Sequence, residues 1–233
     1  MTEICITVDL EQDCPPYLTG WRGMEEGSPL LLALLERCRI PATFFTTGAT
    51  GEKYPRLIEA LVENGHELAS HGQTHKAFSS MESEEAEWEI ETSTAILRAY
   101  GPVTAFRAPY LRFPEKYLPL LESRGYETDA SRSRYKPIHW GPPASTPLRR
   151  ILASTTSSVL RLQPWIRDPL LAKLQSPVVL FVHPWEFVDL KKAPIPWDSR
   201  LGTGDHALRS LEEVIRIFQR GGARFRTVSD LSG

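Results

Sequence analysis

The sequence predicts an α/β fold in which a parallel sheet carries its helices on the outside. Three observations predict it. Short β-branched apolar runs alternate with helix-period segments about seven times along the chain. Residues able to do chemistry, Asp9, His71, Arg107, Asp129 and His183, fall at the ends of separate runs. No glycine-rich dinucleotide fingerprint follows the first run, which weakens an open doubly wound sheet against a (β/α) barrel. Periodicity alone leaves both closures standing.

The elements read in order. "ICITVD" (4–9) is short and β-branched, so it predicts the first strand. "SPLLLALLERC" (28–38) predicts a helix with Ser28 as cap and Pro29 at its first position. "ATFFTT" (42–47) is the second strand. In 53–65, Leu57, Ile58, Leu61 and Val62 share one helical face and Gly65 ends it. "HELAS" (66–70) runs as a third strand into His71. A long helix over 83–101 has acids in its first turn, where the dipole favours them. "TAFRAP" (104–109) is the fourth strand, and a helix over 114–125 is bent or delayed by Pro119. "YETDAS" (126–131) is the fifth. Residues 132–150 read as a long loop rich in Pro, Arg and Ser. "VVLFVH" (178–183) reads as a strand buried on both faces. The helix over 205–222 stacks Leu208, Leu211, Ile215 and Phe218, and "RFRTV" (224–228) follows it.

Composition narrows the function. The chain has 233 residues, 41% hydrophobic and 24% charged, enough for one substantial core, and we expect one domain over 1–233. A formal net charge of -2 lacks the basic footprint of a nucleic-acid or acidic-membrane binder. Cys5, Cys14 and Cys38 are odd in number and fit no staple or CxxC framework, so a reducing, cytoplasmic setting is expected. "MTEICITVDLEQD" lacks the apolar run of a signal peptide, and no window predicts a transmembrane segment.

The polar strand ends would share one rim of a parallel barrel, the rim where such folds build sites. Buried there alone, each group would cost about 2–7 kcal/mol, so they need each other, a metal or water. His71 and His75, four apart around Gly72, fit a metal clamp if the chain turns helically after the strand; on spacing alone they also fit a surface turn. A carboxylate after strand one would complete a two-histidine, one-carboxylate site. Zinc suits that set, with Co, Mn, Fe and Ni as alternatives. Asp9 has Arg107 as its obvious partner, which would keep a base ionised and aimed. His66, His139 and His206 have no such placement, and Cys14 reads as a small buried thiol rather than a ligand.

Five ordered motifs, covering nearly the whole chain, resemble the polysaccharide deacetylase group (NodB-homology domains, carbohydrate esterase family 4). They are "TVDLEQD" (7–13), "SHGQTH" (70–75), "FRAPY" (106–110), "YETDAS" (126–131) and "LFVHPWEF" (180–187). The resemblance implies a distorted barrel of about seven parallel strands and a metal-dependent hydrolase that removes an N-acetyl group from a sugar or glycan. It implies Asp9 as base, Arg107 as its brace, His71 and His75 as metal ligands, the Tyr110 backbone N–H at the oxyanion and His183 as acid. Asp129 would orient one of these groups. Where many members carry adjacent aspartates, Leu10 follows Asp9 here, so the third ligand is Glu11 or Asp13. Spacing favours Glu11, on the same side of an extended strand as Asp9; residue type favours Asp13. Trp185, Trp140 and Pro109 are candidates for contact with the sugar. "SHG" and "HPWE" look like a cytoplasmic-type branch, which also holds allantoinase-like amidases, so ring opening of a cyclic ureide or imide and sugar binding without turnover are the rival readings. A homo-oligomer is left open.

Overall fold

The computed structural model describes residues 1–137 and 144–231. The strands are β1 (Glu3–Leu10), β2 (Thr43–Thr46), β3 (Glu67–Ser70), β4 (Ala105–Phe106), β5 (Thr128–Ser133), β6 (Arg149–Ala153), β7 (Val178–Val182) and β8 (Arg224–Phe225). The main path runs β6-β5-β4-β3-β2-β1-β7, and β8 pairs with the start of β1. All pairings are parallel. The two edges nearly close into a barrel: Ser154, just past β6, donates its N–H to Val179 O at 2.8 Å, and Val179 N–H returns to Ser154 Oγ at 2.9 Å.

Side-chain alternation decides the interior. Cys5, Phe45, Ala69, Ala105, Ala130, Ile151 and Val179 form one buried cluster with Val228 and Leu231, one residue from each of the seven main strands. Most are small, so the barrel is narrow. The alternate residues of β1, Ile4, Ile6, Val8 and Leu10, join the larger core beneath the helices. Burial on both faces explains the unbroken apolar runs.

The helices are α1 (Ser28–Cys38), α2 (Gly48–Lys53), α3 (Pro55–Glu63), α4 (Ser83–Arg98), α5 (Leu118–Ser123), α6 (Ser157–Leu160), α7 (Pro164–Leu171), α8 (Trp197–Arg200) and α9 (Asp205–Arg220). Ser28 is not a cap: a wide turn over Gly23–Gly27 runs directly into α1, and the Ser28 hydroxyl reaches back to Gly23 O at 3.4 Å. Pro119 marks a late start, since Glu115–Tyr117 forms a separate turn before α5.

Two further readings are corrected. The expected loop over 132–150 contains the rest of β5 and the beginning of β6. Its arginines hid the strand because their partners come from segments distant in sequence: Arg149 donates to Thr128 Oγ1, Val228 O and Leu231 O, and Arg150 to Glu115. The turn from His71 to His75 is not helical. Among the described residues, no helix is long and apolar enough to cross a membrane.

Candidate active site

β1 alternates Cys5, Thr7 and Asp9 toward the barrel interior, and Glu11 continues that side one residue past the strand end. There Glu11 Oε2 lies 3.4 Å from His71 Nε2 and 2.5 Å from His75 Nε2. The potential ligand atoms of Glu11, His71 and His75 all fall within 4.8 Å of one another. His71 Nδ1–H donates to Arg107 O at 2.7 Å, which leaves Nε2 facing the carboxylate. Burial opposes ionisation of Glu11, but the fields of His75 and His183 and the hydrogen bonds from His71 and His75 outweigh it. The carboxyl is held well below its ordinary range.

Asp13 is not part of this cluster. Its carboxylate accepts the backbone N–H groups of Gly23 at 2.7 Å and Arg22 at 2.9 Å, so it fixes the loop ahead of α1. That loop packs tightly against the turn after β7: a Cβ on Gly27 would lie 2.0 Å from Pro184 O.

The histidine turn is held from behind by Glu89, a residue the sequence reading did not single out. Buried on α4, it accepts Gln73 N–H at 2.6 Å and Thr74 N–H at 3.0 Å, together with the Thr74 hydroxyl. Gly72 adopts φ +75°, and a Cβ there would sit 3.1 Å from Glu89 Oε2. His75 itself is left-handed at φ 64°.

Arg107, wholly buried, places Nη1 2.6 Å from Asp9 Oδ1 and 2.8 Å from Thr7 Oγ1, with its guanidinium 4.0 Å above the Phe45 ring. Opposite, His183 Nε2 lies 3.9 Å from Asp9 Oδ2 and 3.8 Å from Glu11 Oε1. His183 Nδ1 is 2.7 Å from Glu186 Oε1, and Glu186 Oε2 is 3.1 Å from Arg161 Nε. Glu186 also accepts His183 N–H at 3.1 Å, closing the turn Pro184–Phe187. Burial alone would lower the His183 pKa; the charge of Glu11, then the Glu186 bond and charge, then Asp9, raise it to about 9. Trp185 stacks on His183 at 4.9 Å and reaches Glu11 Oε1 with its indole N–H at 3.4 Å. Glu186 and Arg161 were also missed. The signal for Glu186 was present in "HPWE", where an acid three residues after a histidine can close a turn onto it.

Asp9, Glu11, His71, His75, Arg161, His183 and Trp185 line a cavity of about 450 Å³ whose wall also includes Tyr17, Tyr110, Tyr135, Lys136 and Phe181. The Tyr110 ring meets His75 edge-on at 4.9 Å. Four non-glycine residues of the wall are left-handed: Cys14 (φ 43°), His75 (φ 64°), Tyr110 (φ 61°) and Leu111 (φ 52°). Such strain gathers at functional sites.

Some expected residues fall elsewhere. β5 runs from 128 to 133, so Asp129 is near its start, paired in register with the outer-core Phe106. Its Oδ2 faces Arg150 Nε at 3.0 Å, away from the cavity. Pro109 is buried and does not line the cavity. Trp140 and His139 lie outside the described residues. His66 Nδ1 accepts Ala42 N–H at 3.3 Å, and His206 Nε2 donates to Arg161 O at 2.9 Å; both act structurally. Burial pushes the Cys14 thiol up to about 11, as suits an inert thiol.

Known proteins share this arrangement of chain. The polysaccharide deacetylase family profile matches residues 6–128. A chitooligosaccharide deacetylase of Bradyrhizobium sp. (strain ANU 289) is 26% identical over 211 residues, covering 88% of this chain and 84% of that protein. A peptidoglycan deacetylase of Helicobacter pylori is 29% identical over 124 residues, covering 52% of this chain and 42% of its own length. Among solved structures, a family 4 carbohydrate esterase from Streptomyces lividans, in complex with acetate, superposes with a TM-score of 0.66 at 15% identity, over 96% of this chain and 91% of that one. A carbohydrate esterase family 4 pseudoenzyme from Bacillus anthracis has a TM-score of 0.67 at 14% identity, over 99% of this chain and 65% of that one. The two structures establish the barrel and not its activity, whereas the family profile spans β1 to the start of β5 and the strands that deliver Asp9, Glu11, His71, His75 and Arg107. The chain belongs to the polysaccharide deacetylase family.

Proposed function

We propose that this chain is a metal-dependent N-deacetylase, a single catalytic domain over 1–233 that hydrolyses the acetamide of an N-acetylated sugar or sugar conjugate and releases acetate. The observation that carries the reading is the facing of two groups suited to opposite proton transfers. Asp9 and His183 stand 3.9 Å apart, directly beside the Glu11–His71–His75 cluster.

The cluster fits a divalent ion. Two imidazole nitrogens and one carboxylate oxygen converge, His71 is oriented by a carbonyl on its other nitrogen, and Glu11 Oε2 is buried beside the two imidazoles with no other hydrogen-bond partner among the described residues. Zinc is the first choice for such a set. Bound there, an ion would supply Lewis-acid polarisation of the acyl carbonyl and ease deprotonation of water. Asp9, braced by Arg107, takes the proton of the attacking water. The Tyr110 backbone N–H, set by its left-handed turn, stabilises the oxyanion. His183, fixed by Glu186 and Arg161, gives a proton to the leaving amine. Trp185 sets the plane of His183 by stacking.

Chelation should abolish acetate release from N-acetyl sugars, and added zinc or cobalt should restore it. Asp9→Asn should lose turnover about 10²–10⁴-fold while metal content holds. Turnover of allantoin or a small imide in place of every N-acetyl sugar would overturn the substrate; full activity of the metal-free protein would overturn the metal.

A further inference from the structure

Among the described residues, Arg161 and Lys136 lie on the cavity wall and Arg107 lies behind Asp9. Arg107 is matched by Asp9 at 2.6 Å and Arg161 by Glu186 at 3.1 Å. Lys136 is different. Its ammonium donates to the neutral carbonyl of Tyr110 at 2.5 Å, and no carboxylate forms an ion pair with it among the described residues. The undescribed stretch "IHWGPP" (138–143) contains no acidic residue. The remaining acid on the wall, Asp198, is exposed and accepts its neighbour's N–H, Ser199, at 3.0 Å. Lys136 is half-buried, and burial together with the nearby Arg112 pushes its pKa below the usual lysine range. A cation in that position is destabilised until an anion joins it.

The place of this charge limits what the anion belongs to. Lys136 grips Tyr110, whose ring packs against His75 and whose backbone turns beside the reacting centre. An anion held by Lys136 therefore sits on the wall adjoining the scissile acetamide.

We propose that the substrate is an anionic N-acetyl sugar, with a phosphate or carboxylate on the acylated unit or the unit joined to it, and that Lys136 binds that group. The proposal rests on the deacetylase reading above and narrows its substrate. A phosphate and a uronic carboxylate offer the same chemistry to an ammonium, so both are probed.

The test compares kcat/KM of zinc-loaded protein for neutral chitooligosaccharides, N-acetylglucosamine 1-phosphate, UDP-N-acetylglucosamine and a uronate-containing N-acetylated oligosaccharide. At least one anionic probe should exceed the neutral ones by about tenfold, and which one identifies the source. Lys136→Met should bring the anionic-to-neutral ratio to near one, mainly through KM, and Lys136→Arg should restore it. Calorimetry runs in parallel on N-acetylglucosamine and its 1-phosphate, with wild type and Lys136→Met. A phosphate-dependent gain in affinity lost in the variant supports the site even without turnover, in which case the deacetylase reading alone has failed. Equal kcat/KM and equal affinity for neutral and anionic probes, or a ratio untouched by Lys136→Met, overturns it.

Discussion

The carbonyl oxygen of Arg107 accepts the Nδ1–H of His71 at 2.7 Å, while the guanidinium of the same residue grips Asp9 at 2.6 Å. One residue just past β4 thus orients a candidate ligand with its backbone and a candidate base with its side chain. The couplings differ in kind. A side-chain substitution at 107 would release Asp9 and leave the His71 contact in place, so base and ligand can be perturbed separately.

Glu11 and Asp13 should separate cleanly. Glu11→Gln is expected to weaken zinc binding by more than about 100-fold. Asp13→Asn should keep zinc stoichiometry and lose about 1–3 kcal/mol of stability, because two backbone donors lose a charged acceptor. Zinc titration and urea unfolding on both variants give the answer, and loss of zinc from Asp13→Asn would reverse the assignment.

Glu89→Ala removes the acceptor of two backbone N–H groups behind the histidine turn. Zinc affinity should fall about 10–100-fold, the usual effect of disturbing a ligand's support. The readout is a competition titration with a chromophoric chelator. Wild-type affinity in a folded variant would reduce Glu89 to a packing role.

The pH dependence of the metal-free protein follows from His183, whose pKa stands at about 9 against 6.5 for the free group. Between those values the folded state holds a proton that the unfolded state has lost. Its contribution is therefore complete below the lower value, declines as pH rises, and is gone above about 9. Glu186→Gln should move the imidazole titration, followed by NMR, to lower pH and flatten that part of the stability profile. An unmoved titration would show that Glu186 does not hold the imidazolium.

Asp129 belongs to the outer face, so its removal should act on stability and not on chemistry. Asp129→Asn takes one of two carboxylates from Arg150, which keeps Glu115 at 3.0 Å, and should cost about 1–3 kcal/mol. Measured on folded protein, kcat/KM should stay within about twofold; a hundredfold loss would return Asp129 to the site.

How much of this was legible turns on side-chain parity. Asp9 and Glu11 lie on one side of an extended chain, and that spacing, against the pull of residue type, pointed to the acid now beside both histidines. Asp129 failed by the same rule. The fifth strand begins two residues later than its apolar pattern suggests, so a residue read at the strand end sits near the start and faces outward. β6 was obscured because adjacent Arg149 and Arg150 look like solvated loop charges until their partners from distant segments are known. Glu89 was one acid among many in "SEEAEWEIE", and only its burial against the histidine turn sets it apart.

The four left-handed residues around the cavity have an engineering consequence. Each L side chain held at positive φ is a place where glycine would relieve the backbone. A campaign selecting this protein for thermal tolerance alone would therefore be drawn toward positions 14, 75, 110 and 111. The gains it collected there would dismantle the walls of the cavity, one comfortable substitution at a time.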